Sequence, residues 1–243
     1  MSHPAAVIIG AGDATGGAIA RAFAAAGLTA CVNRRARNAD QLEALAQSIR
    51  DAGHKARAFP ADARDENAMI ELFDTVEAEV GPVEVAVFNI GANVNFPIAE
   101  TTLRVYTKVW EMACLGGFLM GREAAKRMAP RGRGTIIFTG ATASLRGGSG
   151  YAAFSGAKGA LRMLAQSMAR ELGPRGIHVA HTVIDGAIDT DFIRGRHPDF
   201  DNARAQDLIL NPEAIAANYV TLHKQPKSAW THELDLRPWG ETW

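Results

Sequence analysis

Residues 65–80 place Met69, Leu72, Phe73, Val76 and Val80 at intervals of three or four, the apolar stripe of a helix lying on a core. Leu42, Leu45 and Ile49 repeat the pattern ahead of Gly53. Between such stretches lie short runs at 83–88, 135–138 and 177–184 that are apolar without strict alternation, as strands covered on both faces are. Further strand-like runs fall at 5–9, 28–32 and 55–59. Regular alternation of strand and helix, with right-handed crossovers, predicts an α/β chain. Its core is a Rossmann-type doubly wound parallel sheet with helices on both faces, three layers α/β/α, and its ligands lie at the carboxyl ends of the strands. A chain of 243 residues, 47% hydrophobic, has enough apolar surface for one such core. No repeat or low-complexity stretch divides it, so a single domain over residues 1–243 is expected.

The run at 5–9 leads into Gly10-Ala11-Gly12-Asp13-Ala14-Thr15-Gly16 and a helix-like segment at 17–26. A strand, a Gly-rich turn and a helix start make a phosphate cradle, because backbone N–H groups and the positive helix end meet a pyrophosphate with no Cβ between them. Gly10, Gly12, Asp13, Ala14, Thr15 and Gly16 are therefore candidate dinucleotide ligands. The second strand ends in Asn33-Arg34-Arg35. A carboxylate there would hold the ribose hydroxyls of NAD, whereas arginine accepts a 2′-phosphate. NADP(H) is accordingly expected over NAD(H), with the carboxylate of Asp13 opposing that preference. The alternative for Arg34, Arg35 and Arg37 is a solvated loop.

Later segments extend the pattern. Asp62-Ala63 follows the third strand, Phe88-Asn89-Ile90-Gly91 the fourth, and Asp185-Gly186-Ala187-Ile188-Asp189-Thr190 the run at 177–184. Lys158 stands four residues after Phe154 in Phe154-Ser155-Gly156-Ala157-Lys158. Over nearly its whole length the chain resembles the short-chain dehydrogenase/reductase family. The resemblance implies glycines at 10, 14 and 16, and here position 14 is Ala, whose methyl group is expected to lower affinity somewhat without abolishing it. It further implies that Asp62 and Ala63 contact the adenine, that Asn89, Ile90 and Gly91 support the middle of the cofactor, and that Asp185, Gly186, Ile188 and Thr190 hold the nicotinamide carboxamide. Asp185 replaces the usual proline of that last turn.

The same resemblance implies a Tyr-x-x-x-Lys pair, a substrate-orienting serine and a helical asparagine. Lys158 is kept, while Phe154, Ala141 and Cys114 occupy the other three positions. Phenylalanine has no proton to give, and general acid–base catalysis is typically worth about 10²–10⁴-fold in rate. Lys158 retains a binding role toward the nicotinamide ribose. Tyr151, three residues before Phe154, either supplies the proton or simply lines the pocket. Thr142, next to Ala141, is a second candidate for orienting a substrate oxygen. Asp185 is an acid only if burial raises its pKa, and Tyr106 is expected to pack its helix. The chain is thus expected to be an NADP(H)-dependent oxidoreductase of a small carbonyl or alcohol. Its alternative is a non-catalytic dinucleotide-binding protein, a cofactor sensor or regulatory subunit.

Lys+Arg and Asp+Glu balance at 26 each, which gives no reason to expect a nucleic-acid or membrane partner. No segment approaches 18 uninterrupted apolar residues and residues 1–4 lack a signal-peptide build, so a cytoplasmic protein is expected. Cys31 and Cys114 read as separate small hydrophobes rather than a disulfide. Segments 103–128 and 151–172 carry Met112, Leu115, Phe118, Met120, Leu161, Leu164 and Met168 on more than one face, and the family's matching helices form a dimer interface. A homodimer or homotetramer is expected, with the tail at residues 239–243 packed on its own or a neighbouring subunit. Residues 193–210, where the family's substrate loop varies, contain Arg194, Arg196, His197 and Arg204, which face an acidic substrate or solvent.

Overall fold

A computed structural model describes residues 3–242. Its strands are β1 (Ala5–Ile9), β2 (Thr29–Arg34), β3 (Ala56–Pro60), β4 (Val83–Phe88), β5 (Gly134–Thr139), β6 (Ile177–Ile184) and β7 (Glu233–Leu236). All pair in parallel, in the order β3-β2-β1-β4-β5-β6-β7. The chain runs outward from β1 through β2 to β3, then returns to place β4 on the other side of β1. That reversal opens a crevice at the carboxyl ends of β1 and β4, where ligands bind in sheets of this kind.

The period-2 geometry of β1 divides its side chains between two cores. Ala6 and Ile8 join a cluster with Ile19, Phe23, Leu42 and Tyr219. Ala5, Val7 and Ile9 join the opposite cluster with Met69, Phe73, Met120 and Leu161. The first cluster is covered by α1 (Thr15–Ala25), α2 (Ala39–Asp51) and α9 (Pro212–Lys224); the second by α3 (Glu66–Glu79), α5 (Gly116–Met128) and α6 (Ala152–Leu172). These are the three expected layers. The short helices α7 (Asp191–Arg194) and α8 (Phe200–Ala205) belong to a flap between β6 and α9 with its own small core of Phe200, Ala203 and Ile209.

Three details depart from the sequence reading. β7 was not foreseen: its four residues Glu-Leu-Asp-Leu are too short and too charged to stand out, and it is held as an edge strand by β6. The helix expected over 103–128 is continuous, but α4 (Leu103–Trp110) passes into α5 through a π turn at Glu111–Leu115. Met120 and Leu161, expected on a surplus apolar face, are fully buried in the chain's own core. Phe118 of the same set is exposed, as expected, and Leu103, Tyr106, Trp110 and Met163 add to the outward apolar surface.

Candidate active site

Gly10 ends β1 at φ +87°, a conformation that favours glycine, and a Cβ there would come within 2.9 Å of the Asn89 backbone. At Gly16 an added Cβ would lie 2.3 Å from the Gly10 carbonyl oxygen. Both glycines are thus demanded by the close approach of the β1 turn, α1 and the end of β4. Gly12 differs, because its missing side chain faces open space. Among the described residues no side chain caps α1. The amides of Ala14, Thr15 and Gly16 find no acceptor among the described residues, and this positive helix end opens on the crevice. The Asn89 side chain donates to Gly10 O at 3.2 Å and braces the turn. A dinucleotide pyrophosphate fits this cradle: the amides are unengaged and the space beyond Gly12 is empty.

The crevice has a smaller and a larger part. A cavity of about 210 Å³ lies beside the ends of β2 and β3, bordered by Gly10, Gly12, Ile90, Asn33, Arg34 and Arg35, with Asp62 and Ala63 at its far side. Asn33 is occupied structurally, its amide donating to Phe59 O at 2.8 Å and Ala61 O at 3.2 Å. Asp62 accepts from Arg64 Nε at 3.0 Å and Nη2 at 2.6 Å, and these bonds hold its carboxyl below the usual range. Arg34 Nη1 lies 3.0 Å from Asp13 Oδ1, so the carboxylate suspected from the sequence does reach the arginine.

The larger cavity, about 1080 Å³, extends from the Gly10–Gly16 turn past Asn89, Ile90 and Gly91 to Gly186, Ile188 and Thr190. Lys158 forms part of its lining. The ammonium donates to Ile90 O at 2.9 Å and Thr139 O at 2.8 Å, and burial pushes its pKa down to about 7. Its Nζ lies 6.0 Å from the Phe154 ring centroid. Cys114, within the π turn, packs in the same small cluster as Phe154 and Ala157, and burial raises its thiol pKa. The four positions named from the resemblance do converge here, and the group presenting phenylalanine, alanine and thiol carries no acid in the ordinary pH range.

Hydroxyls flank that group. Tyr151 lies at the start of α6, lines the cavity and packs its ring near Gly148. Thr142 also lines it, but its hydroxyl donates to Asp185, which is buried beneath the cavity rather than lining it. Thr142 therefore offers lone pairs to a ligand, with its proton already engaged. Thr190 accepts from Ile193 N at 3.2 Å and caps α7. Tyr106 places its hydroxyl against α6 near Gly156, the packing role expected of it.

The basic residues of the flap are largely engaged within it. Arg204 pairs with Asp189 at 2.8 Å, and Arg194 lies 3.9 Å from both Asp189 and Asp201. Arg196 stacks on Phe192 at 3.7 Å, and His197 accepts from Asp199 N at 3.3 Å. The arginine that sequence reasoning passed over is Arg146, which lines the cavity between Thr142 and Tyr151. A lone basic residue in the glycine-rich stretch 144–150 was the available signal. At the tail, Trp239 donates from its indole to Gln206 O at 2.9 Å, so this part packs on its own flap; Trp243 lies outside the described residues.

The family model for short chain dehydrogenase matches residues 4–199. The short-chain dehydrogenase/reductase eriH of Hericium erinaceus is 35% identical over 225 residues, 87% of each chain. Cis-4-hydroxycyclohexanecarboxylate dehydrogenase of Sinomonas cyclohexanicum is 31% identical over 191 residues, 78% of this chain and 75% of that one. The crystal structure of a short-chain dehydrogenase from Rhodopseudomonas palustris superposes with a TM-score of 0.83 at 48% identity, covering 97% of this chain and 99% of its own. The chain belongs to the short-chain dehydrogenase family, whose members are oxidoreductases that bind nicotinamide dinucleotides.

Proposed function

We propose that this protein is a cytoplasmic, homo-oligomeric oxidoreductase that uses NADP(H) in preference to NAD(H) to interconvert a small alcohol and carbonyl through an incomplete form of the family's catalytic tetrad. The observation that carries this reading is the placement of Lys158 in one continuous cavity, with the open amides of Ala14–Gly16 toward one end and the Tyr151 ring toward the other. The cofactor supplies or accepts hydride when bound. This chain's residues bind it and manage the substrate's proton.

The cradle at Gly10–Gly16 would hold the pyrophosphate, Arg34 and Arg35 a 2′-phosphate, Asp62 and Ala63 the adenine, and Lys158 the nicotinamide ribose. Asn33 acts indirectly, by tying β2 to the end of β3. Asn89 braces the phosphate turn, and Gly186, Ile188 and Thr190 border the nicotinamide end, with Asp185 fixed behind them. Tyr151 is the proton donor we favour for a carbonyl oxygen, since the Thr142 proton is directed at Asp185. Thr142 in turn suits a ligand that donates, such as an alcohol. The test is NADPH consumption over a broad carbonyl panel together with NADP⁺ reduction over the matching alcohols. Binding of NADPH without turnover of any substrate would leave a cofactor-binding protein instead.

A further inference from the structure

Arg146 is a cation inside a concave site with almost nothing attached to it. Its side chain is 48% exposed, and its charged contact is Asp185 Oδ1 at 3.7 Å, beyond hydrogen-bond range. That same Asp185 oxygen accepts the Thr142 hydroxyl, which sets the guanidinium close to Thr142. The Arg146 amide donates to Thr142 O at 3.2 Å and fixes the turn that carries it. Asp185 Oδ2 also lies 3.9 Å from Arg237, so the buried carboxylate is shared between two guanidiniums and leaves Arg146 free to meet a ligand. The other cations bordering the cavity are already engaged: Arg204 with Asp189, and Lys158 with two backbone carbonyls.

We infer that Arg146 anchors a carboxylate of the substrate, so that the protein acts on keto acids or hydroxy acids whose carboxylate lies a few bonds from the reacting oxygen. A guanidinium presents parallel N–H donors that match a carboxylate bidentately. A phosphate dianion suits the place less well, because one arginine faces it and the Asp185 charge lies directly behind. The thiol, alanine and phenylalanine nearby provide no competing polar anchor. This inference rests on the oxidoreductase reading for the position of the reacting oxygen, and the anchor can be tested apart from turnover.

The experiment compares levulinate and 4-acetylbenzoate with their methyl esters, and with dihydroxyacetone phosphate as the dianion. Binding to the NADP⁺-loaded protein is measured by calorimetry, and kcat/KM is measured with NADPH. Wild type, Arg146→Ala, Arg146→Gln and Arg146→Lys are compared, with thermal melting to show that each folds. The expected result is a preference of acid over ester on the order of tenfold to a hundredfold, the scale of a charge-assisted hydrogen bond. That ratio collapses toward one in Arg146→Ala and Arg146→Gln and is partly kept in Arg146→Lys. Equal handling of acid and ester, a preference that survives Arg146→Ala, or a dianion favoured over both acids overturns the inference. If no carbonyl is reduced, the oxidoreductase reading fails on turnover, while Arg146-dependent binding of levulinate still supports the anchor and its absence still refutes it.

Discussion

Arg34 Nη1 and Asp13 Oδ1 stand 3.0 Å apart at the edge of the cleft expected to take the adenosine phosphate. The carboxylate is 78% exposed, so the pair itself contributes little to stability. Its effect falls on ligand choice, because a 2′-phosphate must compete with Asp13 for the arginine. NADPH is expected to bind more tightly than NADH, and Arg34→Ala to remove most of the difference. Asp13→Asn should widen it, by about two- to fivefold, the scale of an exposed ion pair. Fluorescence titration of both cofactors on the three proteins checks this, and equal affinities on the wild type would sink it.

Tyr151→Phe should abolish measurable reductase activity while leaving NADPH affinity almost unchanged, since the change deletes one oxygen. Phe154→Tyr alone should not give a normal enzyme, because Ala141 and Cys114 still lack the hydroxyl and amide that resemblance assigns to those positions. Steady-state turnover beside cofactor titration separates the two effects. Full activity in Tyr151→Phe refutes Tyr151 as the donor.

Lys158 titrates at about 7 because burial penalises its charged form. Below that pH the ammonium is charged and can donate a charge-assisted bond to ribose; above it the charge is lost. NADPH affinity should therefore fall as pH rises from about 6 to about 8, with proton uptake on binding near the upper end. Lys158→Ala should flatten this profile and weaken binding by roughly 1.5–3 kcal/mol. Calorimetry in buffers of different ionisation enthalpy measures both the affinity and the proton.

The buried histidines of β6 and α9 are expected to add to the loss of stability in acid. Burial lowers the pKa of His178, His223 and His181, the last to about 4. Unfolded chain takes up a proton near 6.5 where the folded His181 does not until about 4, so stability is lost as pH falls through that window. By this linkage His181 is expected to contribute roughly 3 kcal/mol over the interval. Urea midpoints from pH 7 to pH 4 should drop steeply for wild type and less steeply for His181→Asn.

Leu103, Trp110, Phe118 and Met163 are large apolar side chains left in solvent on α4, α5 and α6. A second copy of the chain covering that face would give the expected dimer or tetramer. Light scattering at micromolar concentration should return a multiple of 25.9 kDa, and Phe118→Glu combined with Trp110→Glu should reduce it to a monomer. A monomeric wild type would end this expectation.

The parallel sheet was legible because β1, β4, β5 and β6 are apolar runs buried on both faces, and the phosphate turn because its glycines have no substitute at Gly10 and Gly16. What escaped notice was set by tertiary contact. Met120 and Leu161 look like surplus apolar positions until the sheet and the facing helix are both in place. The flap arginines look available for a substrate until Asp189 and Asp201 fold toward them. Arg146 shows in the sequence only as a lone basic residue among glycines, and its importance comes from Asp185, 39 residues away in sequence, arriving at the end of β6.

The π turn at Glu111–Leu115 inserts an extra residue into an otherwise α-helical path, and each residue advances a helix by about 100°. The wider turn takes up that residue locally, so α4 and α5 keep nearly the phase of one unbroken α-helix and Tyr106 keeps its place against Gly156. The cost falls on the turn itself, which carries Cys114 beside Phe154. Deleting one residue there should therefore spare the outer surface of α4 and reseat Cys114, so the two features are separable by chain length and not only by substitution.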